Sequence, residues 1–246
     1  MNYIRIMNLK SWLTVLLIFL LIAACGNSDD EPSEPPLAED LGETYFFLRE
    51  GKYREYDVFE IRYFAVDLSD TFNYQIREEV KEPFISASGD SAFILNRFRR
   101  ATEDEEWELD SVWTARIEDQ RAVSVENNIP FVKMVFPATT TRSWDGNLLN
   151  ARPVRLQRYR NFAEPFTVGF NTFLRTAVVE MSNATDSITF RDIRVEVYAD
   201  SVGLVEKNYD VVTLCTRPEC LGQNIVQVGR VYQEKIIAHG FVDEED

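Results

Sequence analysis

Two stretches of this chain alternate apolar and polar side chains, and this pattern most constrains what the chain can fold into. Residues 59–63 read Phe-Glu-Ile-Arg-Tyr, and residues 72–76 read Phe-Asn-Tyr-Gln-Ile. Successive side chains of a β-strand point to opposite faces, so the pattern predicts strands that bury their aromatic face. Further strands are predicted at 91–99, 106–117, 121–126, 130–136, 166–181, 187–199, 203–215 and 225–238.

Short runs of turn-forming residues separate these strands. They occupy 87–90, 127–128, 144–147 and 200–203 and are rich in Gly, Asn, Asp and Ser. About ten strands joined by tight turns predict an all-β fold, either a single antiparallel β-sandwich or a partly open β-barrel. At most one or two short helices are expected, and the candidate is 154–163, where apolar residues have partly helical spacing.

The N-terminus has the features of a cleavable signal. Arg5 and Lys10 precede an apolar run at 12–24, which is shorter than the roughly 20 residues that a membrane-spanning helix needs. The run ends in Leu-Ile-Ala-Ala-Cys, which fits the lipobox that directs cleavage in front of a lipidated cysteine. The sequence therefore predicts that Cys25 carries the lipid, the alternative being an ordinary signal with a chance cysteine.

This signal divides the chain into three parts. Residues 1–24 form the signal peptide, 25–41 a lipidated, acidic and proline-rich tether, and 42–246 a single β domain. The tether has too few apolar side chains to fold by itself. Two or more acyl chains, such as palmitate, suffice for stable anchoring, so we predict a protein that is tethered to a membrane without spanning it.

Three segments resemble parts of known bacterial proteins. Residues 28–31, Ser-Asp-Asp-Glu, resemble the acidic export signal of surface lipoproteins in the Bacteroidota. Residues 197–207, and Phe136-Pro137 followed by residues 144–147, resemble segments of Bacteroidota cell-envelope lipoproteins for which no activity is established. The resemblance implies an outer-membrane lipoprotein displayed on the cell surface, with a periplasm-facing protein as the alternative.

The charge of the mature chain limits its partners. Cleavage removes two of the 26 basic residues and none of the 41 acidic ones, which leaves a formal charge of −17. Nucleic-acid binding needs a basic face, so no nucleic-acid partner is predicted. We expect membrane contact through the N-terminal lipid only, and an envelope protein or a glycan as a partner.

Cysteine usage agrees with an exported protein. With lipid on Cys25, Cys215 and Cys220 remain as a pair, separated by a proline-containing turn. Exported proteins oxidise such pairs, so a structural disulfide is predicted.

The sequence shows no set of residues with the types and spacing of a catalytic or metal-binding site. The single histidine, His239, lies close to the C-terminus and is expected to be structural or exposed. The acidic run at 103–106 is expected to be a solvated loop, the less favoured alternative being a calcium site. No catalytic residue, metal site or cofactor is therefore predicted.

Two kinds of surface site are candidates. Trp144, with Asp145 and Asn147 in a turn, could offer a platform for a sugar ring or a protein, although burial of Trp144 on the core is the favoured interpretation. Four Asp-Ser-apolar triplets resemble the O-glycosylation pattern of exported Bacteroidota proteins, and turns before strands would produce the same triplets. Their serines are Ser91, Ser111, Ser187 and Ser201.

We favour a non-enzymatic, lipid-anchored binding or structural protein of the cell envelope. One alternative is a carrier or chaperone for an apolar ligand, in which a curved sheet presents Phe59, Ile61, Phe72 and Tyr74 to a cavity. A second alternative is a carboxylate-dependent glycan hydrolase, which needs two converging acids. Nothing in the sequence specifies the ligand or the oligomeric state.

Overall fold

The computed structural model describes residues 41–86 and 89–242. The predicted signal peptide, Cys25 and all of the tether except Leu41 lie outside the described residues. One 3₁₀ turn at Glu43–Tyr45 precedes twelve strands. In chain order the strands are β1 (Lys52–Ala65), β2 (Leu68–Ile85), β3 (Ser91–Arg100), β4 (Glu108–Glu118), β5 (Arg121–Glu126), β6 (Ile129–Val135), β7 (Ser143–Asp145), β8 (Leu156–Val168), β9 (Asn171–Asp186), β10 (Phe190–Ala199), β11 (Gly203–Leu214) and β12 (Val226–Phe241).

All twelve strands belong to one antiparallel sheet. The order is β6-β5-β4-β3-β2-β1-β12-β11-β10-β9-β8-β7, so pairing of β1 with β12 joins the two halves of the chain. The sheet curls until its edges meet: Val132 N donates to Gly146 O at 3.0 Å, and Trp144 Nε1 donates to Val132 O at 3.1 Å. The prediction of an all-β fold is confirmed, and the sheet is a nearly closed, barrel-like one.

Residues 41–48 close one end of this barrel, and we call this segment the plug. Its backbone is held by hydrogen bonds from Ala138 N to Leu41 O and from Ser201 N to Thr44 O, both 3.0 Å long. Tyr45 is fully buried in the main apolar cluster. The β10–β11 turn lies at this closed end, and the antiparallel order therefore places the β1–β2, β3–β4, β5–β6 and β11–β12 connections at the opposite, open end.

The strand predictions need two corrections between residues 154 and 181. The helix predicted at 154–163 is wrong, because Gln157 and Tyr159 are buried while their neighbours Arg158 and Arg160 are exposed, as in a strand. The single strand predicted at 166–181 is two strands, separated by a turn at 169–170 in which Gly169 has a φ of 57°. Together these two differences add one strand, because residues 156–163 and 166–168 both belong to β8. The other additional strand is β7 at Ser143–Asp145, where a turn over 144–147 was predicted, so the sheet has twelve strands where about ten were expected.

Cys215 and Cys220 form the predicted disulfide. Their Cα atoms are 5.8 Å apart, and both side chains are buried. The bridge lies in the connection from β11 to β12 and closes a short loop at the open end.

Candidate functional site

The interior of the barrel is unexpectedly polar. On β1 it is Glu60 that is fully buried, whereas Phe59 is 37% exposed. Glu60 is paired in register with Phe72 and with Tyr232, so these three residues share the inner face. The predicted grouping of Phe59 and Ile61 with Phe72 and Tyr74 on one cavity wall is therefore wrong: the first two lie on the opposite face.

Eight charged side chains cross this interior, and we call them the charge ladder. Each comes from a different strand, seven of them are buried, and basic and acidic groups alternate along it. The ladder runs Arg54, Glu78, Arg97, Glu234, Lys207, Glu196, Lys133, Glu126.

The first half of the ladder links β1, β2, β3 and β12. Glu78 accepts from Arg54 at 2.8 Å and from Arg97 at 2.7 Å, one arginine on each carboxylate oxygen. Arg97 Nη2 continues to Glu234 Oε1 at 3.2 Å. Because β3 and β12 are not neighbours in the sheet, this last contact spans the inside of the barrel.

The second half links β12, β11, β10, β6 and β5. Lys207 Nζ lies 3.8 Å from a carboxylate oxygen of Glu234 and 3.8 Å from one of Glu196. Lys133 Nζ donates to Glu196 at 2.7 Å and to Glu126 at 3.2 Å. Since β6 and β10 lie near opposite ends of the strand order, the ladder ties the two halves of the curled sheet together.

Tyrosines complete the hydrogen bonding of the ladder carboxylates. Tyr198 and Tyr209 each donate to an oxygen of Glu196, and Tyr232 donates to Glu234 at 2.8 Å. Burial, and the neighbouring carboxylates after it, raise the pKa of all three hydroxyls. They are therefore neutral donors at physiological pH, as a buried carboxylate requires.

The three buried ladder carboxylates, Glu78, Glu196 and Glu234, have lowered pKa values and are ionised. Burial alone would raise the pKa of Glu78, but the charges of Arg54 and Arg97 outweigh it and hold that pKa at about 2. The pKa of Glu196 is set by the same two opposing effects. Burial raises it, but the charges of Lys133 and Lys207 outweigh burial and bring it to about 2. The ladder is thus a fixed array of charges rather than a set of proton donors.

Between the ladder and the open end lies a cavity of about 400 Å³. Its floor is formed by the ladder residues Arg97, Lys207 and Glu126 together with Trp113, and these four also bound a smaller space under the plug. The floor is ordered by stacking, since the Arg97 guanidinium carbon lies 4.1 Å from the Trp113 ring centre.

Three arginines lie nearer the mouth of the cavity, and we call them the mouth arginines: Arg62, Arg99 and Arg230. Arg62 and Arg230 both contact Glu60 Oε1, at 2.5 and 2.7 Å, and both remain about half exposed. Arg99 is exposed and stacks on Tyr74. Its guanidinium carbon lies 3.9 Å from the centre of the Tyr74 ring.

The lining of the cavity has a charge opposite to that of the chain. Five of its side chains are cationic and two are carboxylates, whereas the whole sequence has a formal charge of −15. Four aromatic rings share the lining: Tyr74, Trp113, Tyr209 and Tyr232. Such a surface attracts anions by charge and offers ring faces for stacking.

The sequence-predicted recognition turn is packed into the protein. Trp144 is 7% exposed, its indole donates to a backbone carbonyl, and its ring centre lies 4.9 Å from that of Tyr159. Asp145 Oδ1 accepts from the backbone N–H groups of Asn147 and Arg155, both at 2.9 Å. The amide of Asn147 donates to Pro153 O at 2.6 Å. These contacts favour the packing interpretation over ligand recognition.

The four candidate glycosylation serines differ in accessibility. Ser91, Ser187 and Ser201 are exposed, and Ser111 is half-buried with its hydroxyl donating to Asp110 at 3.0 Å. Modification at these positions stays a prediction, with Ser201 on the β10–β11 turn at the closed end.

His239, possible metal ligands and membrane-spanning helices are the remaining features to locate in the structure. His239 is exposed on β12, where burial of part of its ring and the charges of Lys52 and Arg54 lower its pKa. Within residues 41–86 and 89–242, no three His, Cys, Asp or Glu side chains are arranged to hold a metal ion. Over those same residues, no helix has the length and hydrophobicity to cross a membrane.

Comparison with known proteins identifies no family. No protein-family model matches the chain, and no curated protein matches it. A solved structure from Bacteroides fragilis, provisionally described as an exported protein with a YmcC-like fold, matches with a TM-score of 0.41 and 12% identity. The match covers 78% of this chain and 97% of that protein.

Proposed function

We propose that this protein is a lipid-anchored binding protein of the cell envelope, displayed on the cell surface, that holds a ligand in the cavity at the open end of its barrel. The observation that carries the proposal is the cavity itself. It is about 400 Å³ in volume, and its cationic and aromatic lining stands out against a strongly acidic chain. Ligand sites are typically concave and combine apolar surface with a few oriented polar groups.

Binding is favoured over hydrolysis by the state of the buried acid beside the cavity. A glycan hydrolase needs one carboxylic acid that is protonated near neutral pH. Burial raises the pKa of Glu60, but hydrogen bonds and charge from Arg62 and Arg230 outweigh burial and leave that pKa below its ordinary value. Glu60 is therefore a carboxylate that orients arginines, which suits a binding site.

Binding of a wholly apolar ligand is less well supported. The ladder crosses the barrel interior, so a lipid chain entering there would have to displace or desolvate paired charges. Burying charge without compensation is costly, and we therefore place the ligand above the ladder, near the open end.

Lipid attachment and display can be tested in cells. We expect Cys25→Ser to release the protein from the membrane fraction, and protease added to intact cells to digest the wild-type protein. Membrane association of the Cys25→Ser variant would remove the anchoring proposal. Protection from protease until the cells are lysed would instead indicate the periplasm-facing alternative.

Ligand binding can be tested on lipidated protein purified from its native envelope in a mild uncharged detergent. We expect native mass spectrometry to show a bound small molecule that is lost in Asp110→Trp, which narrows the mouth of the cavity. Glu164→Trp is the matched control, because Glu164 is exposed on β8, outside the cavity. Equal occupancy in the two variants, or no bound species in the wild type, would argue against a ligand in this cavity.

A further inference from the structure

We propose that the ligand presents an oxyanion, of the phosphate, sulfate or carboxylate class, to the three mouth arginines. This inference rests on the proposed binding function and assigns the chemistry of its site. It is carried by the geometry of Arg62, Arg99 and Arg230, which present ordered and largely unused donors to the cavity.

Ion pairing and ring stacking hold Arg62 and Arg230 in place. Both contact the buried Glu60, which also accepts a hydrogen bond from Tyr74 at 3.0 Å. Each guanidinium also stacks on a ring, Arg62 at 5.0 Å from the centre of Phe72 and Arg230 at 4.3 Å from that of Tyr232. Stacking fixes the plane of a guanidinium while leaving its N–H edges free to bind an anion.

Arg99 is the mouth arginine without an ion pair in the described residues. Its guanidinium stacks on Tyr74, and no ion pair joins it to an acid within the part of the chain that the structure describes. Glu60 thus pairs with Arg62 and Arg230, and Asp70 lies opposite Arg62 in the β1–β2 register. Arg99 has no ion-pair partner among the described residues, so of the three it has the most donors left for a bound anion.

Their donor capacity exceeds what the protein uses. A guanidinium has five N–H donors and stays protonated at every physiological pH. Arg62 uses its Nε and Nη2 toward Glu60, and Arg230 uses its Nε. Below them, Trp113 Nε1 is buried and has no hydrogen-bond partner among the described residues. Carboxylate, phosphate and sulfate oxygens are the acceptors that match such donors.

The ladder carboxylates are not available to these arginines. Its four cations and four carboxylates already pair with one another, and the carboxylates of Glu78, Glu196 and Glu234 are buried. Moving one of them to the mouth would leave a buried cation unpaired, which is strongly unfavourable. The mouth arginines thus remain available for a ligand.

The test uses the full mature lipidated protein in dodecyl maltoside, first exchanged free of bound species. Isothermal titration calorimetry is run at constant ionic strength with inorganic phosphate, glucose 6-phosphate, glucuronate and dioctanoyl phosphatidate, and with glucose as the neutral control. We expect at least one of the anionic probes to bind, glucose to bind no more than weakly, and affinity to fall as sodium chloride is raised.

Arg99→Ala is the diagnostic variant, and Arg160→Ala is its matched control because Arg160 is exposed on β8 away from the cavity. Loss of a charge-assisted hydrogen bond predicts at least about a tenfold drop in affinity for Arg99→Ala. Arg160→Ala should bind like the wild type. Circular dichroism and the urea midpoint establish that both variants are folded.

The outcomes separate this inference from the binding proposal. Anionic probes that fail to bind, or that bind equally to both variants, would overturn the oxyanion assignment. A neutral native ligand that is displaced by Asp110→Trp would do the same while upholding the proposed function. Among positive results, tightest binding of phosphate, glucose 6-phosphate or dioctanoyl phosphatidate indicates a free ion, a phosphorylated sugar or a lipid headgroup, respectively.

Discussion

Arg97 on β3 and Glu234 on β12 form an ion pair across the inside of the barrel, with 3.2 Å between Nη2 and Oε1, although β2 and β1 separate their strands in the sheet. The pair is buried, and it joins residues 137 positions apart in the sequence. Its contribution to stability depends on every neighbour in the ladder being paired as well.

Removing one ladder partner should therefore destabilise the fold strongly. We expect Glu234→Ala to lower the free energy of unfolding by about 3 to 5 kcal/mol, because it leaves Arg97 and Lys207 buried with one partner fewer. Urea unfolding followed by circular dichroism measures the change. The matched control is Glu219→Ala, which removes an exposed pair with Arg217 and should cost about 1 kcal/mol or less.

A double variant distinguishes an unpaired charge from a lost packing contact. Replacing Arg97 and Glu234 together, by Met and Leu, should be less destabilising than the sum of the two single substitutions. Strict additivity of the three measurements would mean that the two residues are not coupled, contrary to the structure.

Acid should weaken the same network. Glu78 and Glu196 have pKa values of about 2 in the folded protein against an ordinary value of 4.5. Because the folded-state pKa values are depressed, these groups stabilise the fold fully above pH 4.5, and that stability is lost as pH falls from about 4.5 toward 2. Urea midpoints measured across this range should fall steeply for the wild type.

Glu78→Gln provides the control for acid sensitivity. It removes one titrating group, so its stability should be lower at pH 7 and should depend less on pH between 4.5 and 2. If its slope over this range equals that of the wild type, protonation of Glu78 is not what weakens the fold.

The approximate positions of most strands could be predicted from the sequence. Which face of a strand points into the barrel could not. Alternation at 59–63 predicts a strand whichever face is buried, since its period is the same. Hydrophobicity assigns Phe59 to the interior, but Glu60 lies there, because its carboxylate is satisfied by Arg62, Arg230 and Tyr74. The usual rule fails where polar groups find enough partners.

The ladder itself was beyond sequence reasoning for a related reason. Glu78 lies 24 residues from Arg54 and 19 from Arg97, and Arg97 lies 137 from Glu234, so no local spacing marks the partners. Both Glu78 and Arg97 also lie in polar runs, Arg-Glu-Glu at 77–79 and Asn-Arg-Phe-Arg-Arg at 96–100, so nothing in the sequence distinguishes a buried charge from its exposed neighbours. The disulfide was predictable because compartment and cysteine number leave one pairing.

The disulfide can be tested by alkylation. In folded, oxidised protein, Cys215 and Cys220 should remain unlabelled without reductant, and both should be labelled after reduction in denaturant. Mass spectrometry of the labelled protein gives the count. Two reactive thiols in protein taken directly from the envelope would refute the bond.

The last prediction concerns Gly203, which begins β11 at the closed end and contacts the ladder. It has a φ of 97°, and a Cβ atom built on it would lie 2.2 Å from Arg54 Nη1, the nitrogen that donates to Val202 O at 2.9 Å. Gly203→Ala should therefore cost both backbone strain, about 1 to 3 kcal/mol, and displacement of a buried arginine from Glu78.

Gly222→Ala separates these two costs. Gly222 also has a positive φ, 74°, but nothing lies within 4 Å of the position that its Cβ would occupy. Both variants should lose stability through backbone strain, and Gly203→Ala should lose more, because only there does the methyl group push a ladder cation away from its carboxylate. Combining each substitution with Glu78→Gln sharpens the comparison: the extra cost of Gly203→Ala should shrink in that background, while the cost of Gly222→Ala should stay the same. An unchanged cost for Gly203→Ala would show that the turn acts through its backbone alone.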